Sequence, residues 1–178
     1  MGLTEIILII FIILAVVSTV VSVIVTYAKK EEKRCYYHSA ATIVKEKYLN
    51  EALLNPHLPD NAGFSCYGLH IMAYIKNISI KPKKGFVFDI GDGIKIGRNP
   101  DSNILLGEAT VSGKHCYIYV SGSNVCLRDM SVNGTYIKRG LFSVLLNNGI
   151  TELKSGDVLK IGTTKFRITI FNYDTRLM

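Results

Sequence analysis

Three side chains that could take part in catalysis or ligand binding lie close together in the stretch ATVSGKHCYIYV, residues 109–120. Ser112 could act as a nucleophile, His115 as a base and Lys114 as a cation, so the stretch could be a catalytic pair, an anion-binding loop or an ordinary turn. A Ser–His pair also needs a group that holds the base and an oxyanion hole, and the sequence has no GxSxG element. We therefore expect no enzyme activity.

Short β-strands must position these residues. From Gly85 onward, apolar and β-branched runs alternate with Gly, Asn, Asp and Ser, a pattern typical of an all-β sandwich or barrel. The runs with this character are residues 86–90, 94–98, 103–106, 115–120, 125–130, 135–138, 157–162 and 165–170. The alternation within 115–120 predicts that Cys116, Ile118 and Val120 face the core; in 125–130 either face could serve, and we favour Val125 and Leu127 inward.

Three loop motifs, IGRNPDSNI, VSGKHC and SVNGTYI, follow one another in this part of the chain and are followed by LKSGDVLKIGTTKFRI. Their order and spacing resemble the forkhead-associated (FHA) domain. The resemblance implies an eleven-stranded β-sandwich that binds phosphothreonine peptides through loops at one end. We expect neither a metal nor a cofactor. The stretch RGLFSVLLNNGIT is longer than the usual loop of the family, so the strand register there stays open.

The resemblance also implies roles for individual residues. Arg98 matches the phosphate-binding arginine, Ser112 the serine whose hydroxyl bonds a phosphate oxygen, and Asn133 the asparagine that bonds the peptide backbone. Lys114 adds a cationic contact from the same loop. The loop architecture is assigned to Gly97, Gly113, His115, Gly134 and Thr135. The chemistry fits, because phosphate carries up to about two negative charges and strong acceptors, while Arg, Ser and Asn supply donors.

An uncharged apolar segment, IILIIFIILAVVSTVVSVIVTY, occupies residues 6–27. About 20 such residues cross the hydrocarbon of a bilayer, so we expect a transmembrane helix that contacts the lipid bilayer. The run KKEEKR follows this segment, whereas a secretory signal has its positive charge in front of the apolar core. The positive-inside rule then predicts a single-pass membrane protein with its N-terminus outside and its C-terminal domain in the cytoplasm.

The segment between the two regions has mixed signals. Residues 39–54 have helical spacing, NPHLPDNAG then breaks the pattern, and YGLHIMAYIKNISI could be a strand or a short helix. This segment could dock on the membrane, a partner or the following domain, but we favour a locally packed spacer. The predicted organisation is a short extracytoplasmic N-terminus at residues 1–5, a transmembrane helix at 6–27, and a partly helical juxtamembrane segment at 28–83. An FHA domain at 84–172 and a C-terminal tail at 173–178 follow.

The net positive charge of the chain is compatible with an anionic partner but does not indicate which kind. There are 21 Lys and Arg against 14 Asp and Glu. No basic stripe alternates with aromatic residues along the FHA-like region, so we expect no nucleic-acid partner. Four cysteines form no zinc pattern. We expect a partner phosphorylated on threonine, such as a Ser/Thr protein kinase or its substrate, recruited to the membrane. The alternative is a phosphate-independent membrane scaffold.

Overall fold

A computed structural model describes residues 2–54 and 68–177. The chain divides into two units, residues 1–38 and 39–178, which are described separately. The predicted loop NPHLPDNAG, together with His57 and Cys66, lies outside the described residues.

A single helix, α1 (Leu3–Leu54), runs from the apolar segment into the second unit. The sequence predicted two helical segments, but residues 3–54 contain neither Gly nor Pro, so nothing interrupts the backbone hydrogen bonds. In the first unit, the hydroxyls of Thr19 and Thr26 donate to the carbonyls of Val16 and Ser22 at 2.7 and 2.8 Å. These bonds satisfy the polar side chains inside the helix, and by length and composition α1 could cross a membrane.

The described part of the second unit contains eleven strands. They are β1 (Leu69–Asn77), β2 (Gly85–Asp89), β3 (Ile94–Gly97), β4 (Ile104–Leu105), β5 (Cys116–Ser121), β6 (Asn124–Asp129), β7 (Thr135–Arg139), β8 (Phe142–Leu146), β9 (Ile150–Glu152), β10 (Val158–Ile161) and β11 (Thr164–Asp174). The six-stranded sheet has the order β2-β1-β11-β10-β7-β8, and the five-stranded sheet has the order β4-β3-β5-β6-β9. The expected FHA-type β-sandwich is confirmed.

Apolar side chains from both sheets fill the space between them. Ile94, Ile118, Leu127, Leu159 and Ile168 are 0 % exposed. Of the predicted inward positions, Cys116, Ile118, Val125 and Leu127 are buried, and Val120 is half-buried and packs against the core. Burial of such side chains is the main stabilising term for the fold, at about 1.5 to 3 kcal/mol for each large one.

The strands extend beyond the predicted FHA boundaries of 84 and 172. β1 lies in the predicted juxtamembrane segment, yet it pairs with β11 along its whole length and also with β2. β11 continues to Asp174, into the predicted tail. Residues 139–151, whose strand register the sequence left undecided, supply β8 and part of β9. The sandwich therefore begins at Leu69.

The last part of α1 packs against the sandwich, so residues 39–54 are not only a locally packed spacer. Val44 is 2 % exposed and packs with Tyr48, Ala52 and Tyr173, which lies on β11. Lys47 Nζ donates to Asp89 Oδ2 and Asp92 Oδ1, both at 2.8 Å. Packing and ion pairing both hold this segment on the domain.

Candidate functional site

Three loops meet at one end of the sandwich. They connect β3 to β4, β4 to β5 and β6 to β7. Beyond the end of β3, the backbone N–H of Arg98 donates to Ser112 O, and that of Asn99 donates to Gly113 O, both at 3.0 Å. These bonds bring the predicted phosphate ligands Arg98 and Ser112 side by side, although fourteen positions separate them in the chain.

The loop between β6 and β7 is bonded to the loop between β4 and β5. The backbone N–H of Val132 donates to Ser112 Oγ at 3.1 Å, and Asn133 Nδ2 donates to Thr110 O at 2.8 Å. Ser112 Oγ accepts in this bond, so its own hydrogen is available to donate to a ligand. Arg98 and Asn133 are exposed and Ser112 is half-buried, which places all three predicted ligands around one accessible surface.

Lys114 has an exposed position in the loop between β4 and β5, two residues after Ser112. Its side chain stays a predicted cationic contact.

His115 is part of the architecture of this end. Its side chain is 0 % exposed, and its Nδ1 accepts from the backbone N–H of Ser112 at 3.2 Å. Its own backbone joins two strands, because its N–H donates to Ile96 O at 3.0 Å and its carbonyl accepts from Met130 N at 2.9 Å. Burial lowers the pKa of His115, although Asp129 and the Gly134 carbonyl act in the opposite direction. A neutral, buried imidazole whose Nδ1 is already bonded to the backbone is suited to supporting the loop, the role that the sequence predicts.

Close backbone contacts explain the predicted architectural glycines. A Cβ at Gly97 would overlap the carbonyl oxygen of Gly113, and a Cβ at Gly113 would overlap the side chain of Asn99. Gly134 has φ of 76°, a conformation that side chains strongly disfavour, and a Cβ there would lie 2.8 Å from Leu146 O. The loops can approach one another only because these positions lack side chains.

A buried carboxylate that the sequence analysis missed organises the loop between β6 and β7. Asp129 Oδ2 accepts from Thr135 Oγ1 at 2.6 Å, while Asp129 Oδ1 accepts from the backbone N–H groups of Ser131 and Asn148 at 3.1 Å. Ser131 Oγ in turn accepts from Gly134 N at 2.8 Å. This network defines the role of the predicted residue Thr135. The signal was present as an Asp two residues before a Ser in a turn, a common pattern of local side-chain bonding.

Glu108 is a second anchor that the sequence analysis missed. Its Oε2 accepts from Thr163 N and its Oε1 from Thr164 Oγ1, both at 2.7 Å, which joins the loop between β4 and β5 to the turn before β11. The backbone bond from Thr163 and the hydroxyl bond from Thr164 hold the pKa of Glu108 below its usual value.

The assembled surface presents donors without a metal site. Arg98 offers a planar fork, Ser112 a hydroxyl and Asn133 an amide, a combination suited to an oxyanion beside a peptide backbone. Among residues 2–54 and 68–177, no group of His, Cys, Asp or Glu is arranged to hold a metal ion.

Comparison with known proteins agrees with this arrangement. The FHA domain family model matches residues 94–162. The chain is 36% identical over 77 residues to the oxoglutarate dehydrogenase inhibitor of Corynebacterium jeikeium, covering 43% of this chain and 48% of that protein. It is 33% identical over 117 residues to a probable serine/threonine-protein kinase, fhkA, of Dictyostelium discoideum, covering 57% of this chain and 18% of the kinase. The chain thus spans less than half the length of these curated relatives.

Solved structures include a similar chain, Mycobacterium tuberculosis EmbR in complex with a low-affinity phosphopeptide. The TM-score is 0.48 at 26% identity, covering 55% of this chain and 24% of that chain. The family match and the three joined loops lead to one conclusion: the β-sandwich of this protein is an FHA domain, the kind of module that binds phosphothreonine peptides.

Proposed function

We propose that this protein is a membrane-anchored phosphothreonine reader that recruits threonine-phosphorylated proteins to the cytoplasmic face of the membrane. The observation that carries the proposal is the convergence of Arg98, Ser112 and Asn133 from three loops that are hydrogen-bonded to one another. FHA domains are binding modules and are generally not enzymes.

In this proposal Arg98 and the Ser112 hydroxyl bind the phosphate, and Asn133 binds the peptide backbone next to the phosphothreonine. Lys114 adds a longer-range attraction. Each charge-assisted hydrogen bond contributes about 1.5 to 3 kcal/mol. Losing two of them on dephosphorylation would weaken binding by about a hundred- to ten-thousand-fold, which is enough for a switch.

The anchor in this proposal is the apolar part of α1, residues 6–27. Lys29, Lys30, Lys33 and Arg34 follow it, and this charge bias would keep the FHA domain cytoplasmic. Tethering raises the effective concentration of a bound phosphoprotein near other membrane proteins. One similar protein is named a probable serine/threonine-protein kinase, which supports a Ser/Thr kinase or its substrate as the partner class.

The test is the binding of the full chain, reconstituted in nanodiscs, to a degenerate phosphothreonine peptide library, beside matched phosphoserine and unphosphorylated libraries. We expect selective binding of phosphothreonine peptides and a loss of at least about tenfold in Arg98→Ala. Arg128→Ala is the matched control, because Arg128 is also exposed but lies on β6. Equal binding of all three libraries, or none, would favour the phosphate-independent scaffold.

A further inference from the structure

A basic groove of about 640 Å³ crosses the outer face of the six-stranded sheet. Its floor is made by β7, β10 and β11, whose alternate residues Ile137, Leu159 and Phe166 point into the core. The side chains that face outward into the groove include four cations and two hydroxyls: Lys138, Lys160, Lys165, Arg167, Tyr136 and Ser143. None of these six belongs to the three loops of the predicted phosphothreonine site.

Strand register brings the cations of the groove together. Lys160 lies directly opposite Lys165 on β11 and opposite Tyr136 on β7. Lys160 Nζ lies 5.4 Å from the centre of the Tyr136 ring. In the neighbouring row, Val158 separates Lys138 from Arg167. Four positive charges therefore occupy two adjacent rows of one sheet.

The positive charges of the groove have no acidic partner among the described residues that line it. Of the residues that line the groove in the described part of the chain, none is acidic. The nearby Asp157 is buried and accepts hydrogen bonds from Nε and Nη2 of Arg139, at 2.8 and 2.6 Å, so its charge is already paired outside the groove. Like charges directly opposite each other destabilise a sheet. The fold does not require this arrangement, whereas an anionic ligand would be attracted by it.

We propose that this groove binds the phosphate headgroups of anionic phospholipids at a bilayer surface. The inference rests on the proposed membrane anchor. A tether keeps headgroups at high effective concentration, so several individually weak contacts suffice for binding. Arg167 offers a fork that fits phosphate oxygens, and Tyr136 and Ser143 add neutral donors. An acidic protein could use the same charges, but only the bilayer is implied by another part of this chain, the apolar helix.

The test is lysine acylation of the full chain in nanodiscs, read by mass spectrometry at each lysine. The discs contain phosphatidylcholine alone or with phosphatidylglycerol. We expect anionic discs to slow acylation of Lys138, Lys160 and Lys165 by about fivefold or more. We expect Lys83 and Lys84, exposed in the turn between β1 and β2, to react equally in both discs.

Two charge-reversal variants and one soluble ligand complete the design. Lys160→Glu with Lys165→Glu should abolish the protection of Lys138, while the matched change Lys83→Glu with Lys84→Glu should leave it intact. Equal acylation in the two kinds of disc would overturn the proposal, as would equal loss of protection in both variants. Protection in neutral discs by free glycerol phosphate, or by an acidic peptide, to the same extent as by anionic lipid would overturn the assignment to a bilayer.

Phosphothreonine peptide titrations on the same discs separate this inference from the proposed function. Peptide binding without lipid-dependent protection would overturn the groove proposal alone. Protection without peptide binding would support the groove and reject the phosphothreonine reader. A chain that does not remain in the discs would overturn the groove proposal together with the anchor.

Discussion

At the residue scale, the candidate site depends on side chains that shape the loops as much as on those that would touch a ligand. Ser112 belongs to both groups, because its hydroxyl accepts from Val132 N while its own N–H donates to His115. Asp129 only shapes the loop, since it is 2 % exposed and its bonds are to the loop itself.

Gly97→Ala should destabilise the domain and weaken peptide binding. A Cβ at this position would overlap the Gly113 carbonyl, so the loop that carries Ser112 and Gly113 would have to move away from β3. We expect a loss of about 1 to 3 kcal/mol in the free energy of unfolding, measured by chemical denaturation. Gly107→Ala is the control, because a Cβ at Gly107 would meet nothing within 4 Å. Similar stability of the two variants would contradict this explanation.

The stability of the domain should fall as the pH drops below the usual pKa of histidine. The pKa of His115 in the folded protein is below its ordinary value of 6.5, chiefly because the ring is buried. Between the two values the unfolded chain binds a proton that the folded chain does not, so acidification favours unfolding. Denaturation at about pH 7.5 and about pH 5.5 measures this effect. In His115→Gln, whose side chain does not titrate, the pH dependence of stability should be smaller. An unchanged pH dependence would show that another titratable group causes it.

At the scale of elements, the least expected finding is that the end of α1 is part of the domain surface. The docking is ionic as well as apolar, because Lys47 joins the helix to Asp89 and Asp92. Burial raises the pKa of Asp89, but hydrogen bonds from Lys47, His70 and Gly91 outweigh this effect and leave the pKa below its usual value. Asp89 is therefore charged at neutral pH and needs its partners.

Lys47→Ala should loosen residues 39–54 from the sandwich. The substitution removes the cation from the nearly buried carboxylate of Asp89, so we expect a loss of about 1 to 2 kcal/mol in unfolding free energy. Hydrogen exchange should become faster in residues 39–54. Lys45→Ala, an exposed change in the same helix, should have little effect. Equal exchange in the wild type and Lys47→Ala would show that apolar packing alone holds the helix.

At the scale of the whole molecule, alternation explains which strands could be predicted. Each of the eight predicted runs contributes to a strand. In most of them apolar and polar residues alternate along the chain, which places the apolar residues on one face of the strand. β1 was ambiguous because its other face is also covered: Met72 and His70 are buried opposite the core positions Ala73 and Ile75. β8 was missed because it lies at a sheet edge, where Val144 and Leu145 are exposed on opposite faces.

The candidate site was easier to predict than its surroundings. Its predicted ligands lie in contiguous loop motifs, so a single pass along the sequence finds them. The basic groove is different, since Lys138, Lys160 and Lys165 come from three strands and only the pairing register makes them neighbours. No basic run marks them in the sequence, and the same holds for the pairing of Lys47 with Asp89.

The three loops of the candidate site are joined by their own hydrogen bonds, such as that from Asn133 to Thr110. Loops that bond to one another in this way would lose little conformational freedom on binding a peptide. Association should then differ little from one phosphopeptide to another, since no slow loop rearrangement precedes contact. Selectivity among partners would reside in dissociation, so the residence time of each phosphoprotein, more than its speed of capture, would decide which partner remains bound.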